Sequence, residues 1–379
     1  MGINQKITVC HVLSGDLWAG AEVQVYSLLM SLQSEQCFEI SVIVLNEGKL
    51  SDLLSNAGFR VAVIDEDKNR FWTIVKKASA ELAGRRIDIF HSHRYKENVL
   101  GLLLKRRCQI EHLVQTVHGI QERLSGFKSL KAQLYRYFNG IASNGFDRFI
   151  TVSDDIRRRR SNHFDLGKMV TIHNAVDISR VVLTRQAGVV RKELGIGDSQ
   201  PLIGAVGRMV PVKGFDRFLA AAKVIAERRP DAKFVLVGDG PQRVELENLA
   251  RSQGLNNQVR FLGFRDDILD IVNCFDLFVM TSHHEGIPIV LLEGMVLKRP
   301  VVAMSVGGIP EVIEDNISGL LVKSGDVEHV AEACLELLDH PDRARMLGEA
   351  ARRRVETEFS MDVHRDRVVA LYKDVVGRK

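Results

Sequence analysis

Short apolar runs rich in β-branched residues alternate with helical stretches along almost the whole chain, and this alternation restricts the fold more than any other feature. In the first half the runs fall at residues 7–13, 40–45, 61–64, 87–91, 112–116, 148–152 and 169–172. Seven strand candidates separated by helices predict a doubly wound parallel sheet. The rhythm lapses into charged, mixed sequence at residues 177–200, then resumes at 202–206, 233–237, 259–262, 277–280, 300–303 and 319–322. The expected fold is α/β, with two Rossmann-like domains facing one another across a central cleft and the lapse as their boundary: residues 1–180 and 181–359. Ligands of such sheets bind beyond the carboxyl ends of the strands, so the chemistry is sought there.

Length and charge agree with this reading. A chain of 379 residues exceeds one ordinary core, and 45% hydrophobic with 26% charged residues lets both halves bury one. The net charge of +4 is too mild to point to nucleic acid. The five cysteines are odd in number and contain no Cys-x-x-Cys, which argues against disulfides and a zinc site. With no N-terminal signal pattern and no apolar stretch near the roughly 20 residues of a spanning helix, a soluble, cytoplasmic protein is expected.

Several strand ends carry residues suited to chemistry. Glu285 and Glu293 bracket the sequence Glu-Gly-Ile-Pro-Ile-Val-Leu-Leu-Glu, where a strand end runs into a helix start that Pro288 can open. Amides at such a start, helped by the helix dipole, can bind a diphosphate, and a carboxylate beside them can bind sugar or ribose hydroxyls. Two solvated glutamates on an ordinary helix are the alternative. Gly207-Arg208 through Lys213-Gly214 place two cations in one loop, a fork and a point charge that suit a diphosphate. Gly238-Asp239-Gly240-Pro241 reads as a tight turn, and Gly307-Gly308-Ile309-Pro310-Glu311 as a loop whose backbone approaches a phosphate or sugar. The loop from Ser14 to Glu22 precedes a helical run at 23–32 and holds Gly20. His118 follows a strand end and is the best-placed histidine, whereas His91 and His93 read as satisfied structural residues. Asp65-Glu66-Asp67 reads as an acidic turn rather than a metal-binding Asp-x-Asp.

In this order, Gly207-Arg208, Lys213-Gly214, Gly238 to Pro241, Glu285 to Glu293 and Gly307 to Glu311 resemble the retaining GT-B glycosyltransferases of family 4. The first half adds Gly20, His118-Gly119, Ser153 and His173-Asn174-Ala175-Val176-Asp177. The resemblance implies a nucleotide-sugar donor on the second domain, an acceptor on the first, and a final helix at about 360–379 that returns to the first domain. It implies that Arg208 and Lys213 neutralise the departing diphosphate without a metal, and that Glu285 contacts the sugar hydroxyls and Glu293 the ribose. It further implies that Gly207 belongs to the donor-binding set, that backbone amides near Gly286, Ile287 and Pro288 serve the distal phosphate, that His118 lies by the reacting sugar, and that Gly20 lets its loop close on the donor. A UDP-sugar is favoured over a GDP-sugar, with no further cofactor. Hexosyl transfer to a glycan, lipid-linked or small-molecule acceptor, in cell-surface polysaccharide or lipopolysaccharide synthesis, is the expected function. A nucleotide-sugar epimerase of the same fold and a non-catalytic nucleotide-sugar binding protein remain the alternatives.

The acceptor leaves one trace. Leu124, Phe127, Leu130, Leu134, Tyr137 and Ile141 recur at helical spacing among Arg123, Lys128, Lys131 and Arg136. Such a segment either lies on an anionic membrane, placing the protein at the inner face of the plasma membrane, or packs on its own domain.

Overall fold

The computed structural model describes residues 6–15, 18–119, 145–161 and 165–377. The basic amphipathic segment at 124–141 lies outside the described residues. The chain divides into two compact units, residues 1–174 with 361–379, and residues 175–360.

The first unit is built on a seven-stranded sheet: β1 (Ile7–Leu13), β2 (Phe38–Val44), β3 (Arg60–Val63), β4 (Arg86–Ser92), β5 (Gln109–Val117), β6 (Arg148–Thr151) and β7 (Met169–Thr171). The order is β3-β2-β1-β4-β5-β6-β7 with every pairing parallel, so the chain order reverses between β1 and β4. The last helix, Met361–Gly377, belongs to this unit and packs on the helix Gly20–Leu32 and on β4. Its buried positions, Met361, His364, Val368, Leu371, Tyr372 and Val375, repeat at helical spacing, which is why one face seats against the sheet.

The second unit carries six parallel strands: β8 (Leu202–Val206), β9 (Lys233–Val237), β10 (Val259–Phe261), β11 (Leu277–Met280), β12 (Val301–Met304) and β13 (Leu320–Val322). Their order is β10-β9-β8-β11-β12-β13, reversing between β8 and β11. Every residue of β8, β11 and β12 is buried, as expected of parallel strands covered by helices on both faces. The helix Phe215–Arg228 shows how that cover forms: Phe215, Phe218, Leu219, Ala222 and Ile225 share its buried stripe, and the Phe218 ring meets Phe234 of β9 edge-on.

The mixed stretch at 177–200 is folded rather than an open linker. It holds the helix Ala187–Glu193, and the Asp270 carboxylate accepts from the Thr184 N–H at 2.9 Å and from its hydroxyl at 2.6 Å. The five cysteines are free. Among the described residues no helix is long and apolar enough to cross a membrane.

Candidate active site

In the second unit, the loops that leave β8 and β11 flank the point where the strand order reverses, the place where parallel α/β sheets bind their ligands. They are bolted together. The Thr281 hydroxyl donates to the Gly214 carbonyl at 2.8 Å, and the His283 N–H donates to the Val212 carbonyl at 2.8 Å. Gly214, at φ 60°, allows this closeness, since a Cβ there would stand 2.2 Å from the Thr281 carbonyl oxygen.

Lys213 ends a short 3₁₀ turn, Pro211–Lys213, and its Nζ reaches Oε1 of Glu285 at 2.7 Å. The Ser282 hydroxyl donates to the same oxygen at 2.6 Å, and Glu285 is only 8% exposed. The two residues are therefore one unit, a buried carboxylate compensated by a cation whose side chain is 22% exposed. Ser282 escaped the sequence reading, although its place three residues before Glu285 is a local signal. Arg208, by contrast, is exposed, and its guanidinium has no hydrogen-bond or ion-pair partner among the described residues.

The loop after β12 also closes on Glu285. The Gly308 N–H donates to the Glu285 carbonyl at 3.1 Å, and a Cβ on Gly307, at φ 56°, would stand 1.8 Å from that oxygen. The loop's glycines thus make a close backbone approach to the Glu285 peptide. Gly238 behaves alike: a Cβ would stand 2.0 Å from the carbonyl oxygen of Gly207, tying the β9 turn under the β8 loop.

The helix Ile289–Val296 begins after Pro288, which is extended and acts as its N-cap. Proline has no N–H, so the donors of this helix start come from Gly286, Ile287, Ile289 and Val290; the N–H groups of Leu291 and Leu292 turn back to the Pro288 carbonyl. Glu293 sits one turn on, half-buried and with no side-chain partner among the described residues. Burial pushes its carboxyl up to about 7.

In the first unit, Gly20 is not in the loop after β1. It is the first residue of the helix Gly20–Leu32, after an extended Ala19, and Glu22 supplies an acid in the first turn that favours starting there. Glu22 is buried and accepts from Arg94 Nη2 at 2.5 Å. At the reversal between β1 and β4, the Ser14 hydroxyl donates to Glu97 at 3.1 Å, and burial pushes the Glu97 carboxyl up to about 7. Sequence reading did not single out Arg94 or Glu97, because their partners come from a different strand end. His118 is half-buried after β5, its Nε2 lies 3.0 Å from Nδ1 of His93, and burial drives it down to about 3, so it is neutral. His91 and His93 are buried and hydrogen-bonded. Asp65 turns back on its own chain, accepting from the N–H groups of Asp67 and Lys68 at 2.9 and 3.2 Å, an Asx turn.

Comparison with known proteins follows the same two-part division. A family described as Glycosyl transferases group 1 matches residues 188–354, and one described as Glycosyltransferase Family 4 matches residues 18–180. The chain is 26% identical to the Escherichia coli UDP-Gal:alpha-D-GlcNAc-diphosphoundecaprenol alpha-1,3-galactosyltransferase, covering 99% of each chain. It is 30% identical to the Bacillus anthracis N-acetyl-alpha-D-glucosaminyl L-malate synthase, over 78% of this chain and 77% of that one. Among solved structures, Anabaena HepE in complex with UDP and glucose superposes with a TM-score of 0.84 at 20% identity, covering 97% of this chain and all of HepE (100%). With both parts matched by such families and most of the chain aligned to such enzymes, this protein belongs to family 4 of the glycosyltransferases and has the GT-B fold.

Proposed function

We propose that this glycosyltransferase is a retaining, metal-independent hexosyltransferase that takes its donor, a UDP-sugar in preference to a GDP-sugar, on the second unit. The observation that carries the reading is the Lys213–Glu285 pair at the reversal of the second sheet, beside an Arg208 unpartnered among the described residues and the start of the helix Ile289–Val296. Arg208 and Lys213 supply positive charge where a diphosphate would depart, which is the work a divalent metal does elsewhere. Glu285 orients sugar hydroxyls and Glu293 the ribose. His118, on the first unit, is assigned to the transferred sugar, and the amide of Gly20 to donor closure.

The state of Glu285 supports a retaining step that uses no enzymic nucleophile. Its Oε1 already accepts from Lys213 and Ser282, which makes it a poor nucleophile. In the proposed step the bond from C1 to the phosphate oxygen breaks, the acceptor oxygen bonds to C1 on the same face, and its proton passes to the departing diphosphate. The two-carboxylate scheme of glycosidases does not apply. A lipid-linked glycan acceptor is in keeping with the galactosyltransferase named above, and the basic segment at 124–141 is proposed to meet anionic lipid.

The test is to incubate the purified protein with a panel of nucleotide sugars without added metal, measuring donor binding and free nucleoside diphosphate. Release from one donor, lost in Glu285→Ala and Lys213→Ala, is the expected result; no binding of any donor overturns the assignment of this site. Co-sedimentation with anionic vesicles that shows no salt-sensitive binding overturns the membrane contact.

A further inference from the structure

Four histidines, a tyrosine and a threonine of the first unit form one unbranched hydrogen-bonded chain that ends at His118. Nε2 of His118 faces Nδ1 of His93 at 3.0 Å, and Nε2 of His93 faces Nδ1 of His11 at 3.1 Å. Nε2 of His11 lies 3.2 Å from the Tyr372 hydroxyl, which lies 2.5 Å from Nδ1 of His91. Nε2 of His91 then meets the Thr116 hydroxyl at 2.8 Å. The residues come from β1, β4 and β5, the strand ends after them and the final helix. The His11, His93 and His118 rings are joined edge to edge: their centroids are 5.4 and 5.3 Å apart and their planes only 15° and 30° from parallel, the arrangement of an in-plane hydrogen bond.

A neutral imidazole has one N–H and one bare nitrogen, so within such a chain each ring's choice sets its neighbour's. Three arrangements satisfy all five bonds. In one, every histidine carries its proton on Nε2, and Nδ1 of His118 is left bare. In another, every histidine carries it on Nδ1, and His118 presents an N–H there. In the third, the Tyr372 oxygen accepts from both His11 and His91, which keeps His118 protonated at Nε2 but leaves the Tyr372 O–H without a partner. Nδ1 of His118 is buried without a partner, and an orphaned buried donor, whether that N–H or the Tyr372 O–H, costs more than an orphaned acceptor, so the first arrangement is favoured. Burial keeps the chain uncharged: His11 falls to about 3, His91 and His93 fall well below the usual histidine range, and the Tyr372 hydroxyl is pushed up.

We propose that His93, His11, Tyr372, His91 and Thr116 are positioning residues that hold His118 in its Nε2–H tautomer, with Nδ1 bare and ready to accept a hydrogen bond from a sugar hydroxyl. This rests on the assignment of His118 to the transferred sugar; the tautomer itself does not. The same nitrogens of His11, His91 and His93 lie within 4.8 Å of one another, a spacing a metal ion could use, but a metal would have to displace the bonds just described.

The test is nitrogen-15 NMR of the histidine-labelled full chain, paired with kinetics. The wild type is expected to show His118 protonated at Nε2 alone. Tyr372→Phe keeps the ring and cuts the chain two histidines away; Thr116→Val removes its far end without touching the aromatic packing. Tyr372→Phe is expected to shift His118 toward the Nδ1–H form and to lower kcat about tenfold with the donor KM within about twofold. Thr116→Val is expected to shift at least His91 toward its Nδ1–H form. His118 protonated at Nδ1 in the wild type overturns the proposal. So does a Tyr372→Phe variant in which the His118 signals do not move, or a stoichiometric metal bound at His11, His91 and His93. If no donor is turned over by the wild type, the functional assignment fails while the NMR outcome still decides the chain.

Discussion

Nζ of Lys213 and Oε1 of Glu285 are 2.7 Å apart, although the residues are 72 positions apart in sequence. The pair joins the loop after β8 to the loop after β11, so the cation assigned to the diphosphate and the carboxylate assigned to the sugar hydroxyls hold each other in place. Breaking it leaves a nearly buried carboxylate facing only Ser282. Lys213→Ala is expected to cost about 1–3 kcal/mol of stability, less than a wholly buried pair because the lysine is partly exposed. Donor turnover is expected to fall by on the order of 100-fold. A Lys213→Met, Glu285→Met double variant that regains the melting temperature while staying inactive would separate the two effects; a double variant with normal nucleoside diphosphate release would refute the role of the pair.

Arg208 tests the other cation without disturbing the fold. Because its guanidinium is exposed and unpartnered, Arg208→Ala is expected to leave stability within about 0.5 kcal/mol. Donor affinity, read by calorimetry, is expected to drop at least about tenfold through the lost charge on the diphosphate. Unchanged affinity would remove Arg208 from the site.

Gly307 and Gly58 make a matched pair of backbone predictions. Both are left-handed, at φ 56° and 82°, but a Cβ at Gly58 meets nothing within 4 Å whereas one at Gly307 meets the Glu285 carbonyl oxygen at 1.8 Å. Gly58→Ala is expected to cost about 1 kcal/mol for conformation alone. Gly307→Ala adds a clash that only backbone movement can relieve, for a loss of about 3 kcal/mol or more, and it is expected to displace Glu285 and abolish turnover. Urea melts of the two variants, side by side, decide the matter.

Glu97 gives a pH dependence with a definite sign. Its carboxyl is raised to about 7 by burial, from an ordinary value of 4.5. Between those values the folded chain holds a proton that the unfolded chain has released, so the stability of this group is complete below about 4.5 and is lost as pH rises through 7. Glu97→Gln removes this dependence. The variant is expected to gain on the wild type from pH 5 to pH 8 by on the order of 3 kcal/mol, measured by denaturant melts at several pH values. A constant difference across that range would show that Glu97 titrates normally.

Much of the architecture could be read from sequence because a parallel strand covered on both faces must be a continuous apolar run. Such runs announce β8, β11 and β12 without reference to anything distant. The buried stripe of Met361–Gly377 is likewise written in its own spacing. Site candidates were readable to the extent that they sit in the loops after strands: His118 directly follows β5, Lys213 lies in the loop after β8, and Glu285 and Pro288 lie in the loop after β11. The start of the helix Gly20–Leu32 was misjudged, because glycine and alanine at 19–21 carry no strong local preference and the acid at Glu22 tips them into the helix.

What the sequence by itself determined was which residues stand at the carboxyl ends of which strands, since that follows from local periodicity. Which of those residues meet was decided only by the tertiary structure. Strand order brings β8 beside β11 and β1 beside β4, and so joins Lys213 to Glu285, sets Gly307 against the Glu285 peptide, and threads His118 to Tyr372 of the last helix. No local preference encodes these contacts, because each is made by segments far apart in the chain and is held by hydrogen bonds and close packing that exist only once both sheets are assembled.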